Sequence, residues 1–205
     1  MPYENELIDI STCSDNLIRV DMKYFQQNIV GAINKAFVRQ EVADMLMKVA
    51  RSLPMGIHLK IWDAWRPRQV QLFLYQQYEL ALRRDYPNLS EQELTDRVLM
   101  FVSSPYGEYL HGTGGAVDVT LMDDDGNELP MGSDFDEFGP SADINYYKNK
   151  NEIFHANRMI LYNAMLQAGF VNYPSEWWHY DYGDRIWSQE KNEPVKYKVC
   201  KGDKI

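Results

Sequence analysis

Two short stretches carry most of the residues that could do chemistry. The first runs His111-Gly112-Thr113-Gly114-Gly115-Ala116-Val117-Asp118. Its three glycines allow positive φ angles or a close backbone approach just before a strand. Alternation along that strand puts Asp118 with Ala116 and Thr120, away from Val117, Val119 and Leu121. A carboxylate in so apolar a strand is exposed on an open face, paired with a cation, or bound to a metal. From this segment alone His111 reads equally well as a loop residue, with Asp118 as a cap or an arginine partner. The second stretch, residues 173–183, holds Glu176, His179 and five aromatic residues. Glu176 and His179, three apart, face the same way on a helical turn and opposite ways on a flat strand. An aromatic core strand with Glu and His at the surface is the competing reading.

Combined, His111, Asp118 and His179 offer two nitrogens and one oxygen. Three protein ligands with an open fourth position is the pattern of catalytic zinc, whose bound water has its pKa lowered toward ~7. Glu176, beside the third ligand, suits a non-ligating carboxylate that takes the proton of that water and returns it to the leaving amine. General base work of this kind contributes ~10²–10⁴-fold. Arg66 lies in Asp63-Ala64-Trp65-Arg66-Pro67, at a strand-to-helix junction. Its planar fork matches a carboxylate or a developing oxyanion; a salt bridge to Asp63 is the plainer alternative. His58, in an alternating strand, is expected to face solvent. His155, in an amphipathic helix, is expected on the helix surface or in packing.

The elements that must position these groups alternate irregularly. Val38, Val42, Met45, Leu46, Val49 and Leu53 share one helical face over residues 37–53, and Pro54 and Gly56 stop that helix. Ile57, Leu59 and Ile61 alternate with His58 and Lys60, which predicts a half-buried strand. A helix from Arg68 to Arg84 follows, with Pro67 at its first turn. Ser90 and Glu93 form a capping box for a helix reaching Val102. A strand over 116–121 follows, then a turn at Asp123–Asn127 and a helix over 151–168 closed by Gly169. Helices come early and no regular βαβ rhythm appears. The expected fold is α+β, one domain spanning residues 1–205, with a mostly antiparallel sheet carrying the site.

Composition narrows the partners. Of 205 residues, 45% are hydrophobic and 25% charged, ordinary for a globular chain and unlike a disordered, collagenous or coiled-coil one. Lys+Arg is 21 against Asp+Glu 30, a net charge of −9 that argues against nucleic acid and anionic membranes as partners. No run approaches a membrane span. The acidic opening Met1-Pro2-Tyr3-Glu4-Asn5-Glu6 lacks the basic and apolar regions of a secretory signal, so a cytoplasmic location is expected. Cys13 and Cys200 are read as reduced thiols. The sequence sets no oligomeric state, and a homo-oligomer is compatible with it.

The motifs resemble those of VanX-type D-alanyl-D-alanine dipeptidases, in the zinc D-Ala-D-Ala peptidase family. Tyr24-Phe25-Gln26-Gln27-Asn28-Ile29-Val30-Gly31 is similar to an early family segment. The Arg66-Pro67 segment, the 111–121 ligand stretch, the Met131-Gly132-Ser133-Asp134-Phe135-Asp136 loop and the block from Asn157 to His179 follow in family order. The resemblance implies one zinc ion held by His111, Asp118 and His179, with Glu176 as general base and acid and Arg66 as transition-state stabiliser. It also implies a small enclosed pocket for a free dipeptide, with Asp136 on the substrate ammonium and Tyr24 in the pocket lining. The chain departs from the pattern at Tyr109, where the family has a serine and where the phenol is expected to contact the substrate and reshape the pocket, and at Trp65, where the family has a tyrosine. A zinc carboxypeptidase or endopeptidase acting on longer wall peptides, and a zinc-containing binding module without hydrolysis, are the competing functions.

Overall fold

The computed structural model describes residues 7–11 and 17–200; the opening hexapeptide and Cys13 lie outside them. In chain order the elements are β1 (Leu7–Asp9), β2 (Ile18–Val20), α1 (Lys23–Gln26), β3 (Phe37–Arg39), α2 (Gln40–Ser52), β4 (Ile57–Asp63) and α3 (Arg68–Asp85). Then come α4 (Glu91–Leu99), β5 (Val117–Asp123), α5 (Glu152–Ala168), β6 (Val171–Asn172), β7 (His179–Asp181) and α6 (Arg185–Lys191). Five strands form one sheet in the order β2-β4-β5-β7-β6; only β2 and β4 are parallel. β1 and β3 make a separate antiparallel pair. The α+β expectation with a mostly antiparallel central sheet holds.

Strand alternation divides the sheet into two faces with different tasks. Leu59, Ile61, Val117, Val119, Leu121 and Tyr180 are each fully buried on one face. The helices α2 and α5 pack on each other and against β4 and β5, presenting Val42, Leu46 and Val49 from one and Leu161 and Met165 from the other. Truncating a residue such as Leu46 to alanine in this layer costs about 2–5 kcal/mol. The opposite face carries Lys60, Asp118, Thr120 and His179, with Lys60 directly across from Thr120 and His179 across from Asp118.

A β-bulge changes that alternation at one place. Ile61 pairs with Val119, but the next pairing is Asp63 with Asp118, so Trp62 and Asp63 together oppose one residue of β5. The extra residue turns Asp63, which simple alternation would send to the apolar face with Ile61, toward the functional face.

Several local expectations shift. Residues 37–39 are a strand, not the first turn of a helix: they pair with β1, and the Arg39 amide donates to the Gly114 carbonyl. Val38 is fully buried, a position that either period satisfies. The strand expected to be half-buried is covered on both faces. Lys60 is only 9% exposed because Asp21 (2.6 Å) and Glu128 (2.8 Å) hold its ammonium. Pro67 is the N-cap of α3 rather than part of its first turn. The capping box at Ser90 and Glu93 is present, but α4 ends at Leu99, short of Val102. Gly169, with φ 111°, closes α5. A smaller apolar cluster joins α3 and α4 through Leu94, Val98 and Val102, with Tyr78, Phe101 and Phe138 packed on it. Among the described residues no helix is long and apolar enough to cross a membrane.

Candidate metal centre and active site

His111 sits in a 3₁₀ turn, Leu110–Thr113, that ends at Gly114 in the left-handed region (φ 73°). At Gly115 a Cβ would run into the Tyr182 carbonyl oxygen, so glycine lets β5 start close beside the chain leaving β7. The C-terminal segment braces this turn from behind, where the Cys200 amide donates to the Gly112 carbonyl (2.8 Å). Cys200 Sγ lies 3.1 Å from the Arg39 guanidinium. His179 opens β7 after a tight turn in which its amide donates to the Glu176 carbonyl (3.1 Å). That turn resolves the ambiguity of the three-residue spacing: Glu176 and His179 line the same cavity.

The three predicted ligands converge. His179 Nδ1 is 2.9 Å from Asp118 Oδ1, His111 Nε2 is 3.3 Å from Asp118 Oδ2, and the two imidazole nitrogens are 3.3 Å apart. All three residues are buried, and their donor atoms lie within 4.8 Å of one another. His111 Nδ1 donates to the Ala64 carbonyl (2.8 Å), which fixes the tautomer and leaves the Nε2 lone pair toward the centre. Asp181 Oδ1, 2.9 Å from His179 Nε2, fixes the second imidazole in the same way. Two imidazoles and a carboxylate, each oriented from behind, form a donor set that fits zinc.

The electrostatics agree with that assignment. Burial alone would raise Asp118, but the two imidazoles, His111 foremost, outweigh it and hold the carboxyl well below its usual range. Burial opposes a charged His179, yet the Asp181 and Asp118 carboxylates push its pKa well above the ordinary imidazole value. Behind Asp181, burial and then the Asp181 charge push Asp184 up to about 8. Asp184 thus retains its proton at neutral pH. Among the described residues neither Asp181 Oδ2 nor Asp184 Oδ2 has another partner, and a proton shared between the two carboxyls would satisfy both.

Around this centre the cavity is lined by Tyr24, Arg66, Asp136 and Glu176. Arg66 is clamped: Nε donates to Asp63 Oδ2 (2.8 Å), Nη1 to Gln71 Oε1 (2.8 Å), and the Tyr24 ring lies 4.7 Å from Cζ. Its remaining nitrogen, Nη2, is 3.6 Å from Asp118 Oδ2. The Asp63 bridge is present, and it holds the guanidinium beside the candidate metal site. Burial raises Glu176 to about 8. Burial likewise raises Asp136 to about 7, although the Tyr24 hydroxyl donates to Asp136 Oδ2 (2.8 Å). Tyr109 is placed differently. It does not line the cavity; it is buried behind Arg66, donating to the Arg66 carbonyl (3.0 Å), with the Arg68 guanidinium over its ring. His58 pairs with Asp124 at the hairpin tip (2.7 Å), and neither it nor His155 lines the cavity.

Three contributors escaped the sequence reading. Asp181 is two residues past His179 on a strand, so alternation alone puts both on one face. Gln71 and the Ala64 carbonyl carried no signal. Asp63 was expected as a partner of Arg66, but its place on the functional face depends on the bulge.

The family description D-ala-D-ala dipeptidase, of the peptidase M15 group, matches residues 4–196. The chain belongs to this family. A D-alanyl-D-alanine dipeptidase of Escherichia coli is 31% identical over 190 residues, covering 88% of this chain and 86% of that protein. One of Enterococcus faecium is 32% identical over 178 residues, covering 80% and 85%. One of Synechocystis sp. is 31% identical over 156 residues, covering 65% of this chain and 62% of that protein, so the match spans under two thirds of its length. Among solved structures, a vancomycin-resistance D,D-pentapeptidase VanY, in complex with Zn(II), has a TM-score of 0.51 at 14% identity, covering 95% of this chain and 89% of that one. VanYB in complex with D-Alanine-D-Alanine has a TM-score of 0.50 at 14% identity, covering 80% and 83%. These two share the fold.

Proposed function

We propose that this family member is a zinc-dependent dipeptidase that hydrolyses D-Ala-D-Ala or a related small dipeptide of peptidoglycan metabolism. The observation that carries the proposal is the convergence of His111, Asp118 and His179 in a cavity that also holds Glu176 and Arg66. His111 Nε2, an Asp118 oxygen and His179 Nδ1 would hold one zinc ion. Zinc bound there supplies Lewis acidity and makes water a nucleophile at neutral pH.

The remaining work falls to the chain's own groups. Asp136, with Tyr24 donating to it, binds the substrate ammonium, which favours the charged carboxylate in a buried place. As water adds to the scissile carbonyl, the Glu176 carboxylate accepts its proton. Glu176 then delivers that proton to the amine nitrogen as the C–N bond breaks, leaving two free amino acids. A buried carboxyl is suited to both halves of this transfer because its proton affinity lies close to working pH. Arg66, already fixed by Asp63 and Gln71, offers preorganised positive charge to the developing oxyanion, so little reorganisation is required at the moment of reaction.

Hydrolysis of D-Ala-D-Ala by the zinc-loaded protein, abolished by chelator and restored by zinc, is the expected result. Release of D-Ala from a pentapeptide but not from the free dipeptide would move the assignment to the longer wall peptides. A cytoplasmic location remains the sequence-based expectation, tested by cell fractionation.

A further inference from the structure

The cavity does not end at the metal ligands. It continues along one face of α3, past Gln71 to Leu74, Tyr78 and Ala81, and under residues 99–103. Phe138, on the loop that also carries Asp136, closes it from the other side. The rings of Tyr78, Phe101 and Phe138 pack on one another with centroids 5.9, 5.6 and 5.4 Å apart, forming an aromatic wall. Near the mouth Met100 is 59% exposed. None of the α3 residues or residues 99–103 that line the cavity is charged.

Cleaving a bond between two alanines does not call for this arm, because a methyl group reaches no such wall. The cavity measures about 540 Å³. Pockets of roughly 300–1,000 Å³ take drug-sized ligands. Resting on the hydrolytic reading above, we propose that the arm is a side-chain subsite. The preferred substrates are then dipeptides with one large apolar or aromatic side chain beside the scissile bond, and D-Ala-D-Ala is a poor member of the class. An apolar side chain enters and displaces water from apolar surface, whereas a lysine side chain would lose its hydration with no carboxylate on α3 or residues 99–103 to pair with, and Arg185, which also lines the cavity, repels it.

The test is a panel on the zinc-loaded protein: D-Ala-D-Ala, then D-Leu, D-Phe or D-Lys replacing either alanine. At one of the two positions Leu or Phe should raise kcat/KM about tenfold or more over D-Ala-D-Ala, the discrimination that filling an apolar pocket supplies. Lys at that position should fall below both. The Ala81→Trp variant, which fills the arm, should reduce the Phe-to-Ala ratio of kcat/KM about tenfold or more. D-Ala-D-Ala as the best substrate at both positions overturns the proposal, as does a ratio untouched in a folded Ala81→Trp protein. Should no dipeptide be cleaved, the hydrolytic reading fails separately, and the arm is read by calorimetry on zinc-loaded Glu176→Gln. Tighter binding of a Phe dipeptide than of D-Ala-D-Ala then sustains the subsite, and equal or weaker binding removes it.

Discussion

Asp181 does not line the cavity, yet replacing it with asparagine should weaken zinc binding. Its Oδ1 lies 2.9 Å from His179 Nε2, and the residue is fully buried, so no water can take over the contact without rearrangement. An asparagine keeps the volume but removes the charge that makes the imidazole a better donor. Outer partners of this kind are worth about 10–100-fold in metal affinity or activity. At 1.36 kcal/mol per factor of ten, that is about 1.4–2.7 kcal/mol. Asp184 introduces a compensation with a definite sign. Its carboxyl is held up to about 8 partly by the Asp181 charge, so Asp181→Asn lets Asp184 ionise more readily and restores some negative potential near His179. The single variant should thus fall toward the tenfold end, and Asp181→Asn with Asp184→Asn toward the hundredfold end. Competition with a chromophoric chelator measures both affinities. If Asp181→Asn binds zinc within twofold of wild type and the double variant does the same, the carboxylate is not orienting His179.

Glu176→Ala should retain zinc while lowering kcat by about 10²–10⁴; metal analysis showing zinc lost along with activity would make Glu176 a ligand instead. Arg66→Ala should lower kcat more than it raises KM, because its contact strengthens in the transition state; a steady-state result confined to KM would place Arg66 on the substrate carboxylate. Three carboxyls, Asp136, Glu176 and Asp184, have folded pKa values near 7, 8 and 8 against ordinary values of 3.8, 4.5 and 3.8. A raised folded pKa gives stability that is present at low pH and lost as pH rises through the folded value, and raised His179 has the same sign. The chelator-treated protein should therefore melt at progressively lower temperature from about pH 5 to about pH 8, with a flatter slope in Asp184→Asn. A melting temperature that climbs over that interval in calorimetry would contradict the burial of these groups.

The candidate metal-site residues and Glu176 were legible because their chemistry was written locally: a carboxylate in an apolar strand, an imidazole before glycines, a Glu and His at fixed spacing. The helix over 151–168 was legible for a similar reason, its period and its closing glycine agreeing. What the sequence hid was relational. The Phe37–Arg39 segment satisfies two periods at once, and only pairing with β1 decides between them. Lys60 marks a polar face by its type, but its burial depends on Asp21 and Glu128, one drawn from the start of the fold and one from beyond the β5 hairpin. Tyr109 sits two residues before a ligand, close enough in sequence to suggest substrate contact, while its ring turns behind Arg66.

The doubled position in β4 sets a condition on how this chain can vary. Upstream of Trp62 the strand counts its sides in one phase, and downstream in the other. Deleting Trp62, the one residue between Ile61 and Asp63, would restore plain alternation with Asp63 still opposite Asp118, but would remove an indole that packs on Phe135 and Trp177 and donates to Glu128. The extra residue is what lets one strand place both that ring and the anchor of Arg66 on the same side of the sheet.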